Sequence, residues 1–142
     1  IRLYRQFASF DYHMPDPNTT PDFACDKFVT WFQKPAQLAE FRQVSDQYFT
    51  CIDRGGNFRE YVPHGYSKAT GIQYVLDYYG LRKEDAYVFG DSNNDLPMLT
   101  YIPNSVAMGN ASPASLFDEV SYVTKKASED GIAAALEHFG FI

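Results

Sequence analysis

The sequence is poor in cysteine, which excludes several classes of protein. Its 142 residues contain only Cys25 and Cys51, too few for a disulfide framework and without the spacing of a zinc site. We therefore expect two reduced, buried thiols. Such cysteine usage is typical of a cytoplasmic protein, and we predict that location.

Long hydrophobic runs and clusters of basic residues are also missing. No apolar run approaches the roughly 18 residues that span a membrane, and the first residues lack the pattern of a signal peptide. The chain has 12 basic and 18 acidic residues, a net charge of -6, and no basic cluster larger than Lys125-Lys126. Binding to a membrane or to nucleic acid is therefore not expected, and a phosphorylated substrate would need local cations or a metal.

The first half of the chain begins irregularly and then becomes regular. Residues 11–22 hold three prolines among polar residues, a composition typical of a loop. A strand is predicted over Lys27–Phe32 and a helix over Pro35–Val44. Two β-rich segments, 47–53 and 58–62, are predicted to form a hairpin, because the glycines between them permit a tight turn.

The second half alternates helices and strands. Ser67 is a predicted cap for a helix that ends at Gly80. One face of this helix carries the apolar residues Ile72, Val75, Leu76 and Tyr79. The elements predicted after it are a strand at Ala86–Gly90, a helix at Asp95–Tyr101, a strand at Ser105–Met108, a short helix at Pro113–Phe117, a strand at Val120–Thr124 and a helix at Asp130–Phe139. The alternation predicts an α/β fold in which helices cover a parallel sheet.

Polar side chains concentrate where the predicted strand at Val88–Gly90 gives way to a helix. Asp91, Asn94 and Asp95 follow this apolar strand directly. Acids at the carboxyl end of a parallel strand lie where open α/β sheets bind ligands, and the start of a helix offers unpaired N–H groups to an anion. The junction therefore predicts a meeting place for a metal ion and a phosphate.

Four motifs, taken in order, resemble those of the haloacid dehalogenase-like (HAD superfamily) phosphatases, specifically the Cof-type subfamily IIB. They are Gly65–Ile72, Gly90–Leu99, Val106–Ala111 and Ser128–Ile132. Residues 25–62 resemble more loosely the end of the mobile α/β cap of these enzymes, and residues 1–24 carry no matching motif. The resemblance implies that residues 1–64 are the C-terminal part of the cap, and that residues 65–142 are the C-terminal half of a Rossmannoid core.

The resemblance also implies a role for each polar residue. Members of this family transfer a phosphoryl group to an aspartate with the help of Mg²⁺ and then hydrolyse the aspartyl-phosphate. By resemblance, Asp91 is a direct metal ligand, and Asp95 holds a metal-bound water or orients its neighbours. Lys68 neutralises the phosphoryl oxygens, and Asn94 donates its amide to phosphate or substrate. The residue types suit these roles, because Mg²⁺ prefers oxygen ligands and lysine is a point charge for phosphate.

Each of these residues also has an ordinary structural interpretation. Acids near a helix start are favoured by the helix dipole, asparagine is a common cap, and a lysine there is usually solvated. The order of the motifs favours the functional interpretation. Lys68 also precedes Asp91 by 23 residues, which fits one helix and one strand between a phosphate ligand and a metal ligand.

The nucleophile of the family has no convincing counterpart in this chain. It lies in an Asp-x-Asp-Gly-Thr motif after a buried strand, and a second motif supplies a Ser or Thr. Asp16–Thr20 is similar only superficially, because it lacks the second acid and follows Pro15 rather than a buried strand. Only 52 residues separate Asp16 from Lys68, too few for the middle of the core and a whole cap. We therefore expect that the catalytic aspartates are absent, that the chain is the C-terminal piece of a longer enzyme, and that it is inactive alone.

The remaining polar and aromatic residues give weaker signals. Surface positions without a catalytic role are expected for the histidines His13, His64 and His138. Most aromatic side chains are expected in the core, whereas Tyr66 and the segment Phe10–His13 are candidates for contact with substrate. Glu60 is a candidate for the cap side of the cleft.

The resemblance implies a Mg²⁺-dependent phosphatase that acts on a small phosphorylated metabolite such as a sugar phosphate. Two alternatives stay open. One is a phosphomutase of the same superfamily, which returns the phosphate to the sugar, and the other is a non-catalytic binding module that kept the fold. Because an incomplete sheet leaves an unpaired edge, self-association is also expected.

Overall fold

A computed structural model describes residues 24–142, which form two three-stranded sheets. The predictions for His13, for Phe10–His13 and for Asp16–Thr20 fall outside the described residues. Within them, no helix combines the length and the apolar character needed to cross a bilayer.

The first unit is an antiparallel sheet with one helix. Its elements are β1 at Phe28–Trp31, α1 at Pro35–Ser45, β2 at Phe49–Asp53 and β3 at Phe58–Pro63, with β3 in the centre of the sheet. The turn between β2 and β3 contains Gly55 and Gly56, whose φ angles of 91° and 55° suit glycine. The predicted strand, helix and hairpin are confirmed.

Aromatic rings pack α1 against one face of this sheet. Phe28 stacks on Tyr61 with ring centroids 4.8 Å apart, and Phe41 of α1 meets Tyr61 edge-on at 5.4 Å. Tyr61 is fully buried. Because successive residues of a strand point to opposite faces of the sheet, Glu60 and Val62 of β3 lie on the other face.

The second unit is an α/β structure. Its helices and strands are α2 at Lys68–Tyr79, β4 at Tyr87–Ser92, α3 at Leu96–Tyr101, β5 at Asn104–Ser112, β6 at Tyr122–Val123 and α4 at Gly131–His138. The sheet is parallel in the order β4-β5-β6, so the predicted fold class is confirmed. The first unit ends with β3 at Pro63, and the second begins with α2 at Lys68. The predicted domain boundary after residue 64 lies between these two elements.

Four elements of the second unit differ from the prediction. The helix predicted at Pro113–Phe117 is a 3₁₀ helix at Ala114–Glu119. Strand β5 continues to Ser112, because a register shift after Gly90 pairs Ser92 with Ser112. Strand β6 has only two residues, and beyond it the backbone pairing continues as separate hydrogen bonds. The helix predicted from Asp95 begins as a 3₁₀ turn at Asn93–Asp95.

Helix α2 packs on the sheet through a narrower face than the sequence predicts. Leu76 is buried and Ile72 packs beside it, together with core residues of β4 and α3. Val75 and Tyr79, on the same apolar face, are 49% and 68% exposed. Only part of the apolar face of α2 therefore packs against other described residues, and the rest is exposed.

Candidate active site

The last residues of β4 and the 3₁₀ turn Asn93–Asp95 after it, together called the β4 loop, are built around the carboxylate of Asp95. This residue is only 3% exposed, and its Oδ2 accepts hydrogen bonds from the backbone N–H groups of Asp91 at 2.9 Å and Ser92 at 3.1 Å. Gly90 makes this packing possible, because a Cβ at position 90 would lie 2.6 Å from the Cβ of Asp95. The glycine before Asp91 is thus required by the close approach of Asp95.

Lys68 reaches the same carboxylate from the start of α2. Its Nζ donates a hydrogen bond to Oδ1 of Asp95, and its side chain stays 49% exposed. Ser67 caps α2 as predicted, since its Oγ accepts from the N–H of Thr70 at 3.2 Å. The cap fixes the start of the helix and thereby the position from which Lys68 extends.

The surroundings of Asp95 keep its carboxylate ionised. Burial alone would raise its pKa, but the hydrogen bond from Lys68 and those from the N–H groups of Asp91 and Ser92 outweigh this effect. The pKa of Asp95 therefore lies below its ordinary value. Lysine has three N–H donors, so Lys68 has further donors to offer an anion after bonding to Asp95.

Asp91 and Asn94 present polar groups beside this ion pair. Asp91 is exposed, and in the part of the chain that the structure describes its backbone N–H, rather than its carboxylate, joins the hydrogen bonds of the loop. Asn94 lines the neighbouring cavity, and its Oδ1 accepts from the hydroxyl of Ser92 at 2.8 Å. That bond orients the Asn94 side chain, whose NH₂ group is a donor suited to phosphate oxygens.

The loop suits Mg²⁺ through one direct ligand. The exposed carboxylate of Asp91 is an oxygen donor of the kind that Mg²⁺ prefers, whereas both oxygens of Asp95 already accept hydrogen bonds. Among residues 24–142, no group of three or more His, Cys, Asp or Glu side chains could hold a metal ion. Of the two acids Asp91 and Asp95, Asp91 is therefore the one whose exposed carboxylate suits a metal ion.

A cavity of about 670 Å³ lies between the two units. Its second-unit wall is formed by Tyr66, Ser67, Lys68, Asn94 and Pro97. Its first-unit wall is formed by Cys25, Asp26, Lys27, Ile52, Glu60, Val62 and Pro63. Near it, the side-chain amide of Asn93 donates to the carbonyl of Asp53 at 3.2 Å, which joins the β4 loop to the hairpin of the first unit.

Two residues that were predicted from the sequence as candidates for the substrate cleft line the cavity, together with one that was not predicted. Tyr66, which is 70% exposed, and the buried Glu60 both line it as expected. Lys27 was not anticipated, although its Nζ donates to Glu60 at 3.1 Å. Lys27 precedes Glu60 by 33 residues, and the pairing of β1 with β3 brings the two side chains together.

The described histidines and cysteines have no part in the β4 loop. His64 and His138 are exposed, as predicted, and His64 contacts Thr50 and the carbonyl of Asp46. Cys51 is half-buried, but Cys25 is exposed, so the prediction of two buried thiols is wrong for Cys25. Cys25 precedes β1 at the cavity, outside the aromatic face that α1 covers.

The other two motifs of the resemblance both contact the segment 125–127 of the second unit. The N–H of Gly109 donates to the carbonyl of Lys125 at 3.0 Å, and Oδ1 of Asn110 accepts from the N–H of Ala127 at 2.8 Å. A Cβ on Gly131 would lie 2.2 Å from the same Lys125 carbonyl. These glycines therefore permit close backbone packing between the end of β5 and the start of α4.

A parallel sheet that has acids at the end of β4 and a lysine at the start of the preceding helix defines an α/β protein. The model of one family, described as haloacid dehalogenase-like hydrolase, matches residues 1–136. The chain therefore belongs to the haloacid dehalogenase-like hydrolases. The match includes residues 1–24, for which the motifs alone indicated no counterpart.

Individual relatives agree with this membership. The putative phosphatase YkrA of Bacillus subtilis is 46% identical over 81 residues, 57% of this chain and 31% of YkrA. A protein of Geobacillus kaustophilus has a structure with a TM-score of 0.79 and 26% identity, over 99% of this chain and 54% of that one. The HAD subclass IIB sugar phosphatase BT4131 has a TM-score of 0.71 and 28% identity, over 82% of this chain and 44% of that one. The chain thus spans about a third to a half of these relatives.

Proposed function

We propose that the protein to which residues 1–142 belong is a Cof-type, Mg²⁺-dependent phosphatase that hydrolyses small phosphorylated metabolites such as sugar phosphates. The observation that carries the proposal is the ion pair of Lys68 with the buried Asp95, next to the exposed carboxylate of Asp91. The names of YkrA, a putative phosphatase, and BT4131, a sugar phosphatase, support it.

In this proposal each residue acts on the phosphoryl group or on its neighbours. Asp91 holds Mg²⁺, which when bound neutralises charge on the phosphoryl oxygens. Lys68 directs its remaining N–H donors to the same oxygens, and Asn94 donates its amide. Asp95 holds Lys68 in place and orders the loop that carries Asp91.

The division of labour between the two units is part of the proposal. Residues 1–64 form part of the cap and residues 65–142 part of the core, which supports metal and phosphate, while the attacking aspartate is supplied from outside this chain. The cavity that both units line supports this division.

We also propose that the protein is cytoplasmic, because Cys25 and Cys51 are both free thiols.

The test is phosphate release by the protein expressed from its complete reading frame. We expect it to hydrolyse some members of a panel of sugar phosphates with Mg²⁺, to lose this activity in EDTA and to recover it when Mg²⁺ is added back. Lys68→Met should lower kcat/KM by about 100-fold or more, because the loss of a charged contact to the phosphoryl group is expensive. Lys126→Met, at an exposed lysine distant in sequence, is the matched control.

Product analysis separates the alternatives. Free sugar and inorganic phosphate support the phosphatase, whereas an isomeric sugar phosphate indicates a phosphomutase. Binding of sugar phosphates without turnover, under conditions where the protein is folded, would replace the proposal with a non-catalytic binding module.

A further inference from the structure

Glu60 is a buried carboxylate on the cavity face of the first sheet. The residue is 7% exposed and lies in the central strand β3, paired with Val29 of β1 and Ile52 of β2. Packing of the sheet against α1 uses the opposite, aromatic face. Burying a charge lowers stability unless the charge is well paired. Lys27 and Arg54 pair with the Glu60 carboxylate, and its place on the cavity wall makes it a candidate for contact with a ligand.

The two carboxylate oxygens of Glu60 differ in their hydrogen bonds. Oε1 accepts a hydrogen bond from Nζ of Lys27 at 3.1 Å. Oε2 lies 3.7 Å from Nη1 of Arg54, an ion pair that is too long for a hydrogen bond. An ionised carboxylate can accept about four hydrogen bonds, so Glu60 has acceptor capacity to spare.

Lys27 adds a donor at the same wall. Its side chain is 60% exposed and lines the cavity beside Glu60. After bonding to Glu60, its ammonium has further N–H donors. A hydroxyl group is both a donor and an acceptor, so it can donate to Glu60 while it accepts from Lys27.

The charges of the two walls favour different parts of a ligand. The first-unit wall carries the carboxylates of Asp26 and Glu60 and the ammonium of Lys27. The guanidinium of Arg54 lies 3.7 Å from Glu60, so these positive and negative charges balance. Lys68 and Asn94 line the opposite wall. A phosphate is thus favoured at the second-unit wall, and a neutral, hydroxyl-rich group at the first.

We propose that Glu60 and Lys27 recognise hydroxyl groups of a substrate whose phosphate lies at Lys68. The inference rests on the proposed function and names its substrate class, the monophosphates of sugars and polyols. It disfavours alkyl phosphates, which leave these polar groups unpaired. A cavity of about 670 Å³ has the size of a small-molecule site.

The test is binding by calorimetry, with the protein from its complete reading frame and two ligands that cannot be hydrolysed. One is the phosphonate analogue of a six-carbon polyol phosphate, and the other is methylphosphonate, which has no hydroxyl groups. Glu60→Gln should weaken binding of the polyol phosphonate by about 10-fold or more, because a hydrogen bond to a charged group is lost, and leave methylphosphonate unchanged. Glu40→Gln, at an exposed glutamate of α1, should change neither.

Loss of affinity for both ligands to the same degree, or for neither, would overturn the inference. Lys27→Met, at a mostly exposed side chain, provides the same comparison if Glu60→Gln does not fold. If every variant is inactive toward phosphomonoesters but the difference between the two ligands persists, the phosphatase proposal fails while hydroxyl recognition stands. If the protein hydrolyses phosphomonoesters efficiently but Glu60→Gln keeps the wild-type preference between polyol and alkyl phosphates, the hydroxyl-recognition proposal fails and the phosphatase proposal stands.

Discussion

Lys68 and Asp95 form an ion pair that connects the start of α2 to the loop after β4. The carboxylate is almost fully buried, the ammonium is half exposed, and the second carboxylate oxygen binds the backbone N–H groups of Asp91 and Ser92. One side chain therefore sets both the position of Lys68 and the shape of the loop that carries Asp91.

We predict that Asp95→Asn destabilises the fold. The substitution removes a buried charge that accepts hydrogen bonds from Lys68 and two backbone N–H groups, and the expected loss is about 1–3 kcal/mol of unfolding free energy. A double-mutant cycle with Lys68→Met in urea unfolding measures the coupling free energy between the two side chains. This coupling should be smaller than the whole loss caused by Asp95→Asn, because Lys68 is half exposed to water. Purely additive effects of the two substitutions would show that the ion pair does not stabilise the fold.

The contribution of Asp95 to stability should depend on pH. Its pKa in the folded protein lies below the unfolded value of about 3.9, so its stabilising effect is fully present above that pH and is lost as the pH falls through the folded pKa. The difference in unfolding free energy between wild type and Asp95→Asn should therefore be constant from neutral pH to about pH 5 and shrink below about pH 4. Urea unfolding across this range measures it. A difference that grows as the pH falls contradicts the account.

Gly90→Ala should destabilise the protein and disturb the site together. The new Cβ would lie 2.6 Å from Cβ of Asp95 and 2.9 Å from Cδ1 of Leu99, both in the packed interior. We expect a loss of about 1–3 kcal/mol by urea unfolding. Gly71→Ala is the matched control, because Gly71 lies within α2 with open space around it, and alanine there should add about 0.5–1 kcal/mol. Equal effects of the two substitutions would show that the space at position 90 is not critical.

Local signals in the sequence predicted most of the fold. Ser67 and Gly80 delimit α2 because a cap and a left-handed C-terminal residue act within one turn of the helix. The hairpin was predictable because Gly55 and Gly56 supply the positive φ angles of its turn. Which residues on the apolar face of α2 are buried was not predictable, since that depends on which surface packs against the helix.

The site was predictable only as a set of residues. The motifs indicated that Lys68, Asp91, Asn94 and Asp95 act together. They did not indicate that both oxygens of Asp95 are engaged, because that depends on the 3₁₀ turn after β4 and on Lys68, 27 residues away. The pair of Lys27 with Glu60 was likewise not apparent, since strand pairing creates it.

Purified residues 1–142 should self-associate through the edge of the second sheet. Among the described strands β4 pairs only with β5, so its other edge carries unpaired backbone groups. Sedimentation velocity should detect oligomers that weaken at lower protein concentration. Tyr87→Lys on β4 should reduce association, because a charge on an edge strand discourages pairing. Tyr74→Lys, on the exposed surface of α2, should have little effect. If Tyr74→Lys reduced association more than Tyr87→Lys does, the contact would lie on α2 instead.

The role of Asp91 as the metal ligand of this chain is the central claim, and Mg²⁺ titration of phosphate release by the protein from its complete reading frame tests it most directly. Wild type should show saturable Mg²⁺ activation. Asp91→Asn should lower kcat/KM at the same Mg²⁺ concentration by more than about 100-fold, while Asp118→Asn, at an exposed acid of the second unit, matches wild type. Wild-type Mg²⁺ activation in folded Asp91→Asn would contradict the account.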